Sequence, residues 1–159
     1  MQKLLIPVDG SERSEAAVAL AIKRAAAGHP AQVHLLNVQP NVFPEGSLFY
    51  IEPTRLDTYF YEQSEKALQR SERMLRDAAM DFQVHRTVGP VAETIVEKAH
   101  ELSCDGILMS TRGHGSVIGM LLGSVANKVL HLSDVPVTLI RPPVETGKTI
   151  DITGRLSAT

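Results

Sequence analysis

The alternation of short aliphatic runs with stretches of helical spacing constrains the fold of this chain more than any other feature. Five runs rich in β-branched or aliphatic residues recur along its 159 residues. They are Lys3–Val8, Gln32–Val38, Phe82–Val88, Gly106–Ser110 and Val135–Ile140. Because these segments are runs more than alternations of apolar and polar residues, they indicate strands buried on both faces, as in a parallel sheet.

Residues with helical spacing occupy each gap between these runs. The predicted helices are Ser14–Ala27, Leu56–Ala79, Val91–Leu102 and, approximately, Ser124–Leu132. Ser11 is the expected N-cap of the first helix. Strands that alternate with helices predict right-handed βαβ units, and therefore a single doubly wound, five-stranded parallel α/β domain with helices on both faces.

Composition and charge narrow the class of partner and the cellular location. The formal net charge is −2 and 43% of residues are hydrophobic, which gives no reason to expect nucleic acid or an anionic membrane as the main partner. Cys104 is the single cysteine, so no intrachain disulfide can form. The apolar run before Pro7 is too short for a signal peptide or a membrane span, so we expect a cytoplasmic protein without membrane insertion.

Two segments depart from the regular alternation. Gln39–Arg55 contains three prolines among apolar residues and follows the carboxyl end of the second strand, where open α/β sheets bind ligands. It is either a lid or partner surface or a passive loop. The tail, residues 142–159, is rich in Thr and Ser and is either a flexible end or an added edge strand. We therefore expect one domain over residues 1–141, followed by this tail.

The stretch from Ser110 to Ser124 runs from the end of a buried strand through a glycine-rich loop to the start of a helix. Its glycines are Gly113, Gly115, Gly119 and Gly123. Glycines let backbone N–H groups approach an anion, and Ser124 and Val125 stand where a helix N-terminus offers unpaired N–H groups. This order predicts a phosphate site, although the spacing matches neither the Walker nor the dinucleotide motif. The alternative is that the glycines only form turns and close packing contacts.

Asp9 ends the first strand at the turn into the first helix, in the stretch Ile6-Pro-Val-Asp-Gly-Ser11. In a doubly wound sheet the first and fourth strands are neighbours across the switch point, so Asp9 is expected near the loop that begins at Ser110. There it could accept hydrogen bonds from a ribose or share a cation with phosphates. The alternative is a turn former or helix cap, roles to which Asp-Gly-Ser is well suited.

These motifs resemble those of the universal stress protein family. The resemblance covers residues 1–141 and rests on Lys3-Leu-Leu-Ile-Pro-Val-Asp-Gly-Ser11, the run from Asp105 to Gly113, and Asp134-Val-Pro-Val-Thr-Leu-Ile-Arg141. The ATP-binding branch of that family is marked by Gly, two residues, Gly, nine residues, then Gly-Ser or Gly-Thr. Gly113, nine intervening residues and Gly123-Ser124 match the later parts. Ser110 replaces the first glycine, where it would either crowd a ribose or donate a hydrogen bond to it.

The resemblance implies that ATP or AMP is the ligand, with Mg²⁺ allowed beside the phosphates. Pro7, Val8 and Asp9 would border adenine and ribose, and Val38 would meet the adenine edge through its backbone. Met109 and Ser110 would line the sugar. The phosphates would lie on Gly113, Gly123, Ser124 and Val125, with Arg112, His114, Gly115 and Ser116 nearby.

The resemblance also implies the strand order 3-2-1-4-5 and a homodimer joined through the last strand, Val135–Ile140, whose apolar edge would otherwise be exposed. Catalytic parts are few, since His114 is the one loop residue suited to acid–base chemistry and no Gly-x-Ser-x-Gly elbow is present. We therefore predict a nucleotide-responsive regulatory binding protein rather than an enzyme. A slow ATPase and a ligand-free dimeric interaction protein are the alternatives.

Overall fold

The structure is a computed structural model, and it describes residues 1–41, 53–111 and 122–141. Five strands alternate with four helices in this part of the chain. Their bounds are β1 Gln2–Pro7, α1 Glu15–Ala26, β2 Ala31–Gln39, α2 Pro53–Asp77, β3 Phe82–Val88, α3 Val91–Glu101, β4 Gly106–Ser110, α4 Ser124–Leu132 and β5 Val137–Ile140. The predicted alternation of strands and helices is thereby confirmed.

The strands form one parallel sheet in the order β3-β2-β1-β4-β5. From the central strand β1 the chain moves outward to β2 and β3, and then crosses back to β4 on the other side. The switch point therefore lies between β1 and β4, at the edge where the strands reach their carboxyl ends. This topology confirms the predicted doubly wound fold and its strand order.

Helices cover both faces of the sheet. On one face, Leu5, Leu36 and Ile107 of the strands pack with Ile95 of α3 and Val129 of α4. On the other face, Ile6, Leu35 and Leu108 pack with Val18 of α1 and Leu68 of α2. Successive residues of one strand point to opposite faces, so a strand buried on both faces must be apolar throughout. That requirement explains the apolar runs of β1, β2 and β4. The prediction of burial on both faces is wrong for β3 and β5, which contain no buried residue because they lie at the two ends of the strand order.

Several element ends differ from the predicted ones. Helix α2 begins at Pro53, three residues before the predicted start, because proline is well accommodated in the first helical position. The irregular segment after β2 is correspondingly shorter than Gln39–Arg55. Strand β5 begins at Val137, two residues later than predicted. The remainder of that irregular segment, and the tail from residue 142, lie outside the described residues.

The predicted capping role of Ser11 is wrong, because helix α1 has Ser14 as its N-cap residue. Ser11 instead opens the turn that leads into the helix. Its carbonyl oxygen accepts a hydrogen bond from the Ser14 N–H at 3.0 Å, and its Oγ lies 3.2 Å from the same nitrogen. The Ser14 hydroxyl donates back to the Ser11 carbonyl at 2.8 Å. Serine hydroxyls bond nearby backbone groups in turns as readily as at caps, so sequence alone could not separate the two roles.

Candidate functional site

The turn after β1 is held by the Asp9 carboxylate. Asp9 Oδ1 accepts hydrogen bonds from the Ser11 N–H at 3.0 Å and from the Ser11 hydroxyl at 2.6 Å. This is the geometry of an Asx turn, so the turn-forming alternative for Asp9 describes what its side chain does here. Asp9 is also exposed at the carboxyl edge of the sheet, and Val8 just before it is buried.

Gly10 lies in the same turn, close against helix α2. Its φ of +81° is a left-handed conformation, and a Cβ on this residue would lie 2.9 Å from the Ala67 Cα. Arg70, one turn further along α2, reaches back with its Nε 3.1 Å from Glu15 Oε2. Burial raises the pKa of Glu15, while Arg70 opposes that effect. Helix α2 is therefore packed directly onto the turn that carries Asp9.

A chain of amide hydrogen bonds joins the carboxyl ends of β1 and β2. Asn37 Nδ2 donates to the Val8 carbonyl at 2.8 Å, and Gln39 Nε2 donates to Asn37 Oδ1 at 2.7 Å. Asn37 is only 2% exposed, although it is polar. Sequence analysis missed both residues as parts of the site. A usable signal was present, since a polar residue inside a buried strand needs a hydrogen-bond partner.

The end of β4 fixes the start of α4. Met109 and Ser110 are buried at the end of the strand. The N–H of the next residue, Thr111, donates to the Ile140 carbonyl at 2.8 Å. The Thr111 carbonyl accepts a hydrogen bond from the Gly123 N–H at 2.7 Å. The Gly123 N–H is thus already bonded within the protein, which takes it away from any anion at the predicted phosphate site. Its φ of −72° is also open to other residues, so no left-handed turn requires a glycine here.

The first turn of α4 presents N–H groups that have no partner within the helix. At this end of the helix, the Asn127 N–H donates to the Gly123 carbonyl at 3.0 Å. The N–H groups of Ser124, Val125 and Ala126 precede it, and they have no carbonyl four residues back within the helix. They stand at the positive end of the helix dipole, and Ser124 is exposed. This turn can therefore hold an anion.

The structure brings nine of the predicted site residues to the carboxyl edge of β1, β2 and β4 and to the start of α4. They are Pro7, Val8, Asp9, Val38, Met109, Ser110, Gly123, Ser124 and Val125. The other five, Arg112, Gly113, His114, Gly115 and Ser116, lie outside the described residues. Residues far apart in sequence thus surround one edge, as the predicted topology requires.

Residues 1–41, 53–111 and 122–141 contain no group of three or more His, Cys, Asp or Glu side chains placed to hold a metal ion. None of their helices is both long enough and apolar enough to cross a membrane.

The fold defines a class: doubly wound α/β proteins whose topological switch point lies between the first and fourth strands. Within that class the chain belongs to the universal stress protein family, whose family model matches residues 1–141. A universal stress protein of Methanocaldococcus jannaschii is 31% identical over 146 residues, which cover 89% of this chain and 83% of that protein.

Solved structures show the same architecture. The hypothetical protein MJ0577 superposes with a TM-score of 0.74 at 26% identity, over 91% of this chain and 98% of its own. A universal stress protein in complex with cAMP gives a TM-score of 0.60 at 26% identity, over 88% and 96% of the two chains. An Arabidopsis thaliana family member with AMP bound shares the fold at 13% identity and a TM-score of 0.65, over 94% and 97%.

Proposed function

We propose that this chain binds an adenine nucleotide, ATP or AMP, at the carboxyl edge of its sheet and acts as a regulatory module in a stress response. The nucleoside would lie among Pro7, Val8, Asp9, Val38 and the Met109–Ser110 strand end. The phosphates would lie at the start of α4, on Ser124 and Val125. A family member that is 26% identical to this chain has a solved complex with cAMP, which supports an adenine ligand.

One observation carries the proposal: the hydrogen bond from the Gly123 N–H to the Thr111 carbonyl, at 2.7 Å. It holds the start of α4 against the end of β4, and β4 is paired with β1 at the switch point. The exposed turn at Asp9 and the N–H groups of Ser124 and Val125, which have no partner within the helix, thereby lie at one edge of the sheet. A hydroxyl-rich sugar and an anionic phosphate need those two kinds of partner. The loop residues Gly113 and His114, and a shared Mg²⁺, remain predictions.

Ser124→Pro is expected to weaken ATP binding without harming the helix. Proline suits the first helical position, and Gly123 already has the extended backbone, with ψ of 159°, that the residue before a proline requires. The substitution removes one N–H and one hydroxyl from the phosphate site. Because a hydrogen bond to a charged group contributes roughly 1.5–3 kcal/mol, we expect the Kd measured by calorimetry to rise about 10- to 100-fold.

Ser124→Ala is the matched control, because it loses the hydroxyl and keeps the N–H. It should bind ATP more tightly than the proline variant does. In the unaltered protein, ATP at about a hundred times its Kd should raise the melting temperature by roughly 5–10 °C. Equal Kd values for the proline variant and the unaltered protein would show that the phosphates do not bind at the start of α4. Failure of ATP, AMP and cAMP alike to bind the unaltered protein would refute the proposed function and favour the ligand-free interaction protein.

We also propose that the chain forms a homodimer through β5. Strand β5 is at the edge of the sheet, and Leu130 and Leu132 of the preceding helix are 41% and 46% exposed. An edge strand that no other described strand covers, following a helix with exposed leucines, is suited to pairing with a second copy. Light scattering should give twice the chain mass. Thr138→Lys, which places a charge on the exposed middle of this edge, should shift the protein toward monomer, and a monomeric unaltered protein would contradict the proposal.

A further inference from the structure

The orientation of the Gln39 carboxamide is determined by the Val8 carbonyl, through Asn37. A backbone carbonyl can only accept a hydrogen bond, so the Asn37 atom 2.8 Å from Val8 O must be its NH₂ group. Asn37 Oδ1 is then an acceptor, and the Gln39 atom 2.7 Å from it must be NH₂ as well. A flipped Gln39 would place two oxygens against each other, so only one orientation is compatible with the chain of bonds.

This orientation leaves Gln39 with a defined pattern of hydrogen-bonding capacity. Its Oε1 keeps its acceptor capacity, since no described residue donates to it, and its NH₂ group has one N–H beyond the bond to Asn37. Gln39 is the last residue of β2 and is partly exposed, whereas Asn37 behind it is buried. The carboxamide is thus a preoriented acceptor and donor at the edge of the sheet where the nucleoside is proposed to lie.

The edge of adenine is complementary to this pattern. Adenine presents its exocyclic NH₂ donor beside a ring-nitrogen acceptor, and a glutamine carboxamide can bond both. Hypoxanthine and guanine carry a carbonyl oxygen at the same ring position, and this oxygen would face Gln39 Oε1. A freely rotating carboxamide could flip to accommodate that oxygen. The hydrogen bond to Asn37 opposes the flip, so the affinity of the site for 6-oxopurines would be lower than its affinity for adenine.

We propose that Gln39 selects adenine over 6-oxopurine nucleotides at this site, with Asn37 as its positioning residue. The inference rests on the proposed function, since it assumes that the base lies at this edge. Gln39 would recognise the base through its side chain, in addition to the backbone contact expected from Val38. The site would therefore bind adenine nucleotides more tightly than inosine or guanine nucleotides.

The test compares the Kd values of ATP and ITP, at the same Mg²⁺ concentration, for the full chain and two variants. Gln39→Met keeps the length of the side chain and removes its hydrogen bonds. The control is Gln83→Met, which makes the same change at an exposed position of β3. We expect the unaltered protein and the control to bind ATP about tenfold more tightly than ITP. In Gln39→Met the two Kd values should agree within about threefold, chiefly because ATP binding weakens.

The possible failures are distinguishable. If the unaltered protein binds ATP and ITP equally well, the selection by Gln39 is wrong while the nucleotide site stands. The same conclusion follows if Gln39→Met keeps the tenfold preference. If neither nucleotide binds the unaltered protein, the proposed function and this inference both fall. The preference of the unaltered protein remains a test on its own if Gln39→Met does not fold, which its melting curve without nucleotide would reveal.

Discussion

Gly10→Ala is expected to lower the free energy of unfolding by about 2–5 kcal/mol, the largest effect we predict for a single methyl group in this protein. Two costs add. The φ of +81° is unfavourable for alanine by roughly 1–2 kcal/mol. The new Cβ would also lie 2.9 Å from the Ala67 Cα, a backbone atom that can move only with helix α2, and such overpacking costs roughly 1–3 kcal/mol. A melting temperature lower by about 5–15 °C should result.

Gly28→Ala separates these two costs. Gly28 also has a positive φ, +89°, because it ends α1 in a Schellman motif, but a Cβ there would meet nothing within 4 Å. We therefore expect this variant to lose about 1–2 kcal/mol, from the backbone conformation alone. The difference between the variants in denaturant unfolding measures the contact between the turn and α2. Equal losses of unfolding free energy in the two variants would show that the contact between Gly10 and α2 is absent in solution.

Acidification from pH 7.5 to 5.5 is expected to destabilise the protein through a pair of histidines on β2 and β3. His34 Nδ1 lies 3.0 Å from His85 Nε2, and His34 is 4% exposed. His34 Nε2 is buried and has no hydrogen-bond partner among the described residues. The two histidines are 51 residues apart in the sequence, and only the pairing of β2 with β3 brings their rings together.

Burial is the main cause that lowers the pKa of both rings from the ordinary value of 6.5. Lys3 lowers the pKa of His34 further, and Asp81 opposes it. His34 and then Lys98 lower the pKa of His85, and Glu101 opposes them. Folding therefore favours the neutral rings, and below pH 6.5 the unfolded chain binds more protons than the folded one does.

Stability from this pair is fully present above pH 6.5 and decreases as the pH falls toward the lowered folded-state values. The slope cannot exceed about 1.4 kcal/mol per pH unit for each ring. Urea unfolding at pH 7.5, 6.5 and 5.5 measures it. His34→Leu should flatten the slope, because an apolar residue suits the buried position at every pH, whereas His131→Gln on the exposed surface of α4 should keep it. A slope unchanged by His34→Leu would show that the pair does not titrate on unfolding.

Local patterns in the sequence determined the fold class and the positions of the elements. Apolar runs predicted strands buried on both faces, which holds for β1, β2 and β4, and strands that alternate with helices predicted the doubly wound sheet. The strand order came from the resemblance to a family, and the structure has the same order. These features were accessible because burial and helical periodicity are properties of neighbouring residues. Ends such as Pro53 and Ser14 were less accessible, since proline and serine suit both turns and helix starts.

The sequence by itself determined which residues stand at the strand ends and helix starts, including Asp9, Ser110 and Ser124. Only the tertiary structure decided what those residues contact. Register and strand order bring Asn37 to the Val8 carbonyl, His34 to His85 and Gly10 to Ala67. In the same packing, the Gly123 N–H donates to the Thr111 carbonyl and is therefore not available to an anion. Each of these contacts joins segments that are distant in sequence, and local propensity carries no information about which distant group will satisfy a hydrogen bond or fill a space.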